Sequence, residues 1–135
     1  GYRGVLAAAG IAYDPLLVRH GAHLRSTAKQ LTFELMALST PPTAIVATSD
    51  VQAVGVLEAL DSLGLRAPAD VSVVGYDDIE LASLMNLTTV RQPLEASGRR
   101  GADLVLEAIA SGTRSQLAEQ LQIELVVRAT TGPRR

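Results

Sequence analysis

The chain has 135 residues, 47% hydrophobic and 19% charged, with a formal net charge of −2 and no cysteine. That composition buries the core of one domain, or of part of a larger one, and excludes disorder. A near-neutral balance without a run of Lys or Arg excludes the footprint of a nucleic-acid-binding surface, and the lack of cysteine excludes disulfides, thiolate metal sites and Cys nucleophiles. No apolar run approaches the ~18 residues of a membrane span, and the first residues lack the charged-then-apolar layout of a signal peptide. A cytoplasmic setting is expected.

In chain order, residues 2–9 are rich in Ala and Leu and stop at Gly10, which predicts a short helix with a C-terminal glycine cap. Asp14-Pro15 makes a turn, and Leu16, Leu17 and Val18 predict a short strand ending near His20 and Gly21. From Leu24, apolar residues recur at Ala28, Leu31, Leu35 and Leu38, the spacing of one helical stripe, until Pro41-Pro42 breaks it. TAIVA over residues 43–47 predicts a buried strand, and Thr48-Ser49-Asp50 a strand-to-helix turn in which the Asp50 carboxylate caps a helix over residues 51–63. Gly64 closes that helix. A further strand, DVSVVGYDD from Asp70 to Asp78, carries Val71, Val73 and Val74 on both alternating faces, as in a parallel sheet covered on both sides.

Beyond it, residues 79–85 predict one or two helical turns and residues 88–91 a strand ended by Pro93. A helix over residues 95–110 places Gly98, Ala102, Val105 and Ile109 on one stripe and ends at Gly112, before a last strand over residues 122–128. Helix-strand units in succession predict an α/β fold on a parallel sheet. In such a sheet ligands bind beyond the carboxyl ends of the strands, which singles out Tyr76, Asp77 and Asp78. Two adjacent acids at a strand end also suit a Mg²⁺ or phospho-acceptor site. Such a site needs a matching Lys and a second acidic cluster, and the only Lys is Lys29 on another helix. No nucleophile elbow or Gly-rich phosphate loop is present, so an enzyme is not expected, nor any cofactor or metal.

Four segments, PPTAIVATSDVQAVGVLEAL, LGLRAPADVSVVGYDD, LTTVRQP and ELVVRATTG, resemble in order and spacing the effector-binding domain of lactose-repressor-type (LacI/GalR) transcription regulators over residues 41–132. The resemblance implies a type I periplasmic-binding-protein fold, a parallel-sheet three-layer α/β sandwich. Residues 1–91 and 122–135 would form the C-terminal subdomain and residues 92–121 a piece of the N-terminal one. The helix-turn-helix would lie outside the chain, so DNA is a partner only through that missing domain. On this template the helix over residues 95–110 lacks the sheet its apolar face covers and exposes a large apolar stripe.

The resemblance also implies the partners and the site. Asp77 stands where the family's carboxylate accepts hydrogen bonds from a small-molecule effector, a sugar or related metabolite. Ser49 replaces an Asn common in relatives, and Asp50 follows it. His23 falls where relatives place an aromatic ring that stacks on the effector. A homodimer is implied through Val51, Val54, Leu57, Leu81 and Leu84, with internal packing an equal alternative for Leu57 and Leu81. No membrane partner is expected. The alternative function is a solute-binding protein of a sugar transporter with the same fold.

Overall fold

The computed structural model describes residues 1–112 and 118–133. Among these the chain runs as α1 (Tyr2–Ala8), a 3-10 turn (Pro15–Leu17), α2 (Arg25–Met36), β1 (Ala44–Val46), α3 (Asp50–Ser62), β2 (Ser72–Asp77), α4 (Glu80–Leu84), β3 (Thr88–Arg91), α5 (Leu94–Ser111) and β4 (Glu124–Val126). The α/β order is the expected one. The strand expected at Leu16–Val18 is not formed: Pro15 starts a 3-10 turn and the Asp14 carboxylate accepts the Leu16 N–H at 2.8 Å. A strand also needs a partner ladder, and β1 pairs only with β2, leaving its other edge open.

The sheet order is β1-β2-β3-β4. The first three strands are parallel, as the α/β order implies, and β4 adds to β3 antiparallel, which makes the sheet mixed. A parallel fourth strand requires a crossover helix that packs back on the sheet. α5 buries none of its residues, and the chain re-enters at the end it left, with Glu124 opposite Arg91.

The core lies on one face of this sheet. Ile45, Val71 and Val73 point to it at the two-residue period of a strand, and Leu87 joins them against Leu35, Ala53, Val56 and Leu60 of α2 and α3. On the other face Val74 is only half-buried, and Val46 on the edge strand is 74% exposed. The strand that the sequence suggests is covered on both sides is fully covered on one. A second seam is polar. Thr130 donates through Oγ1 to the Val73 carbonyl (2.7 Å), accepts the Thr88 N–H (2.9 Å) and takes the Val73 N–H on its own carbonyl (2.8 Å).

The closest helix contact is made at Gly55. A Cβ there would collide with the Arg25 carbonyl oxygen and crowd the Lys29 N–H, so glycine is what lets α3 sit against α2. Helix propensity alone favours Ala over Gly by about 1 kcal/mol. We nevertheless expect Gly55→Ala to lower stability by about 1–3 kcal/mol through overpacking. Urea unfolding decides the sign, and a midpoint equal to or above the parent's would contradict this packing.

Candidate functional site

Three parallel strands end along one edge, and the segments that leave them carry the polar side chains. Val46 of β1 pairs with Val74 of β2, so Ser49 and Asp77, each three residues further on, emerge from neighbouring strands. Ser49 rather than Asp50 is the N-cap of α3: its Oγ accepts the Gln52 N–H at 3.2 Å. Thr48 Oγ1 donates to Gln52 Oε1 at 2.7 Å, and Gln52 Nε2 reaches the Ala22 carbonyl at 3.5 Å. This last contact brings the loop bearing His23, which is exposed, to the N-terminus of α3.

Asp50, expected as a cap with a possible reach to ligand, is instead fully buried. One oxygen accepts from Thr89 Oγ1 and the other accepts the Ile79 N–H at 2.9 Å. A Cβ at Gly75 would run into Asp50 Oδ1, which accounts for glycine in β2. Both roles of an N-terminal helix acid fit the same local sequence; the tertiary partners select the second.

Asp77 keeps the position the sequence suggests, half-buried at the end of β2. Its Oδ1 accepts from Gln92 Nε2 at 2.6 Å, and among the described residues Oδ2 has no hydrogen-bond partner. Its backbone φ is +118° and that of Asp78 is +58°. For residues with a side chain this region costs about 1–3 kcal/mol each, and such residues cluster at binding sites. Beside Asp77 opens a cleft of about 710 Å³, lined also by Asp78, Arg91, Gln92, Arg99 and Asp103, and bounded by the first turns of α5. That volume suits a small molecule. Ser49, Asp50 and His23 do not line it. Gln92 and Arg91 went unnoticed in the sequence, yet they end β3 as Asp77 ends β2, so the strand-end rule applied to every strand finds them.

Asp78 faces arginines. Its carboxylate, 7% exposed, accepts from Arg128 Nη2 and from Arg91 Nε, both at 2.7 Å, and Arg91 also pairs with Glu124 at 2.9 Å. Both oxygens are thus committed to guanidinium groups, so Asp78 has none to spare for a cation. Burial alone would push this carboxyl up; hydrogen bonds and charge from Arg128 and Arg91 outweigh it and hold the group below the usual carboxylate range. Of the residues expected at a dimer face, Val51, Leu81 and Leu84 are exposed, Leu84 by 73%. Val54 is buried in the chain's own core, and Leu57 is half-buried against it.

The fold and this edge define a class: an α/β domain with a cleft beyond the carboxyl ends of its parallel strands. The chain belongs to the periplasmic binding protein-like domain family, whose profile matches residues 1–131. Among curated relatives, the transcriptional repressor PurR of Vibrio campbellii is 35% identical over 132 residues, covering 96% of this chain and 40% of the relative. A transcriptional regulator LacI from Bacillus cereus has a structure similar at a TM-score of 0.94 and 28% identity, covering 100% of this chain and 49% of that one. A complex of the transcriptional regulator CelR with cellobiose matches at a TM-score of 0.87 and 35% identity, over 96% and 40% of the two chains. The resemblance to LacI-type regulators therefore holds, and the chain spans about two-fifths of the curated relative's length.

Two outcomes follow from the acids. Asp50→Ala orphans a part-buried N–H and a buried hydroxyl, the latter worth about 1–3 kcal/mol and the former up to as much, so chemical denaturation should show a loss of roughly 2–5 kcal/mol; a loss under about 1 would refute the strut. For Asp78, a depressed folded pKa means stability that is present above the unfolded value of 3.8 and lost as pH falls through the folded one. The stability difference between the parent and Asp78→Asn should therefore be constant near neutrality and shrink below about pH 4. Urea titrations at pH 7 and pH 3 measure it, and a difference independent of pH would rule the pairing out.

Proposed function

We propose that the chain is the effector-sensing part of a lactose-repressor-type transcription regulator, binding a sugar or similar polyhydroxyl metabolite in the cleft beside Asp77. The observation that carries this reading is Asp77 itself: a carboxylate at a strand end that lines the cleft, with one oxygen held by Gln92 and the other without a hydrogen-bond partner among the described residues. A fixed acceptor of that kind orients a hydroxyl-bearing ligand. The CelR neighbour, solved with cellobiose, supports the ligand class. Gln92 is a contact of the same site, whereas Ser49, Gln52 and His23 cluster outside this cleft at the N-terminus of α3, where a larger effector would extend.

In this reading residues 92–121 belong to a second lobe, and the exposed apolar residues Val105, Leu106 and Ile109 of α5 are the face that lobe covers. Val51, Leu81 and Leu84 serve a homodimer, the whole protein works in the cytoplasm, and DNA is read by a helix-turn-helix beyond this chain. Effector shifts an equilibrium between two lobe orientations by the difference in its affinity for them.

The test is a thermal-shift screen of the full-length gene product against sugars, including cellobiose, nucleosides and small acids, with Asp77→Asn in parallel. A ligand at ~100 times its dissociation constant stabilises by about 2.7 kcal/mol. One compound should raise the melting temperature of the parent and not of the variant. A shift that survives Asp77→Asn unchanged would show that Asp77 is not the acceptor.

A further inference from the structure

We propose that Asp78, clamped between Arg128 and Arg91, is the positioning residue that holds Asp77 in the backbone conformation presenting its carboxylate to Gln92 and the cleft. The functional meaning of this inference rests on the reading of Asp77 as the effector's acceptor.

Two successive residues with side chains at φ +118° and +58° crowd their own Cβ atoms against the backbone. Such a conformation persists only where its surroundings fix it from more than one side. The single Asp77–Gln92 bond does not fix a main chain. The segment after Asp77 does. Ile79 N–H is bound by the buried Asp50 carboxylate at 2.9 Å. Between them, Asp78 gives one oxygen to Arg128 and the other to Arg91.

Both arginines are themselves anchored. Arg128 is 17% exposed, donates through Nη1 to the Leu87 carbonyl at 2.8 Å, and has its N–H on Thr88 Oγ1 at 2.9 Å. Arg91 lies on β3 directly opposite Asp77 and pairs with Glu124 on β4. The clamp therefore fixes the Asp77–Asp78 peptide against β3 and against the chain that follows β4. Arg91 and Glu124 are also the points where the chain leaves the sheet for α5 and returns from it, so a shift of α5 is transmitted through the clamp to Asp77.

The test needs no effector. In the isotope-labelled 135-residue chain, the one-bond Cα–Hα coupling of Asp77 reports the sign of its φ, and the Gln92 side-chain amide proton reports the bond to Asp77. In Asp78→Asn and Arg128→Gln we expect the Asp77 coupling to move to the extended-chain value and the Gln92 proton to lose its carboxylate-bonded shift. Gly55→Ala, destabilised through the contact of α3 with α2 and not through the arginine clamp, should leave both signals at the parent's values. A folded Arg128→Gln with parental signals, or equal changes in Gly55→Ala, overturns the inference. Should Arg128→Gln not fold, Arg91→Gln, whose side chain is half-exposed, takes its place with the same two outcomes. Failure of the cleft to bind any effector would show in the thermal-shift screen and leave these signals untouched, so the two readings fail separately.

Discussion

The buried carboxylate of Asp50 is the constraint on which the binding edge depends. Where parallel strands stop, backbone groups lose their ladder partners and must find others. Ile79, just past β2, has such an N–H, and Thr89 carries a hydroxyl with no access to water. A single carboxylate at the start of α3 takes both. It thereby joins the N-terminus of one helix to two strands, and it forces glycine at position 75 because nothing larger fits beside it. Ser49 precedes it by one residue, Asp77 precedes its partner Ile79 by two, and Gln92 follows its partner Thr89 by three. All three polar candidates hang within a short lever arm of one fully buried group.

A second polar seam completes the sheet. β3 begins opposite Val74, so the stretch of β2 before it lacks a partner on that side. Thr130 fills the gap, with its carbonyl on the Val73 N–H and its hydroxyl on the Val73 carbonyl. Thr131 Oγ1 meets Thr88 Oγ1 at 2.9 Å. The segment that follows β4 is therefore structural, and threonine serves because its methyl packs while its hydroxyl satisfies a buried ladder. Among the described residues no buried side-chain polar atom lacks a partner.

What the sequence makes legible is what short windows carry. The stripe from Ala28 to Leu38, the valines of β2, and the breakers at Pro41-Pro42, Gly64 and Gly112 all mark elements that form. The place of Asp77 at the end of β2 is legible from the run of valines before it. Windows fail where a distant partner decides. Leu16 to Val18 has strand composition but no neighbouring ladder. Asp50 has the local pattern of a cap, and only residues 29 and 39 positions away make it a strut. Val54, expected at an interface from its apolar place on a helix, is instead buried within the chain. The direction of β4 follows from where α5 goes, which no local pattern encodes.

The two walls of the cleft are held very differently. The sheet wall is tied to the core by the buried Asp50 and to itself by the charge-assisted pairs of Asp78, whose own carboxylate is 7% exposed. The α5 wall buries no residue. Its pair across one turn, Arg99 with Glu95, has partners 74% and 88% exposed, and exposed pairs of this kind are worth about 0.2–1 kcal/mol. On the proposed reading, an effector's contacts with Asp77 meet a wall fixed by the core, and its contacts with the start of α5 meet one that is not. Only contacts whose strength differs between two arrangements shift a conformational equilibrium, so that reading assigns orientation of the effector to the strand ends and switching to the start of α5.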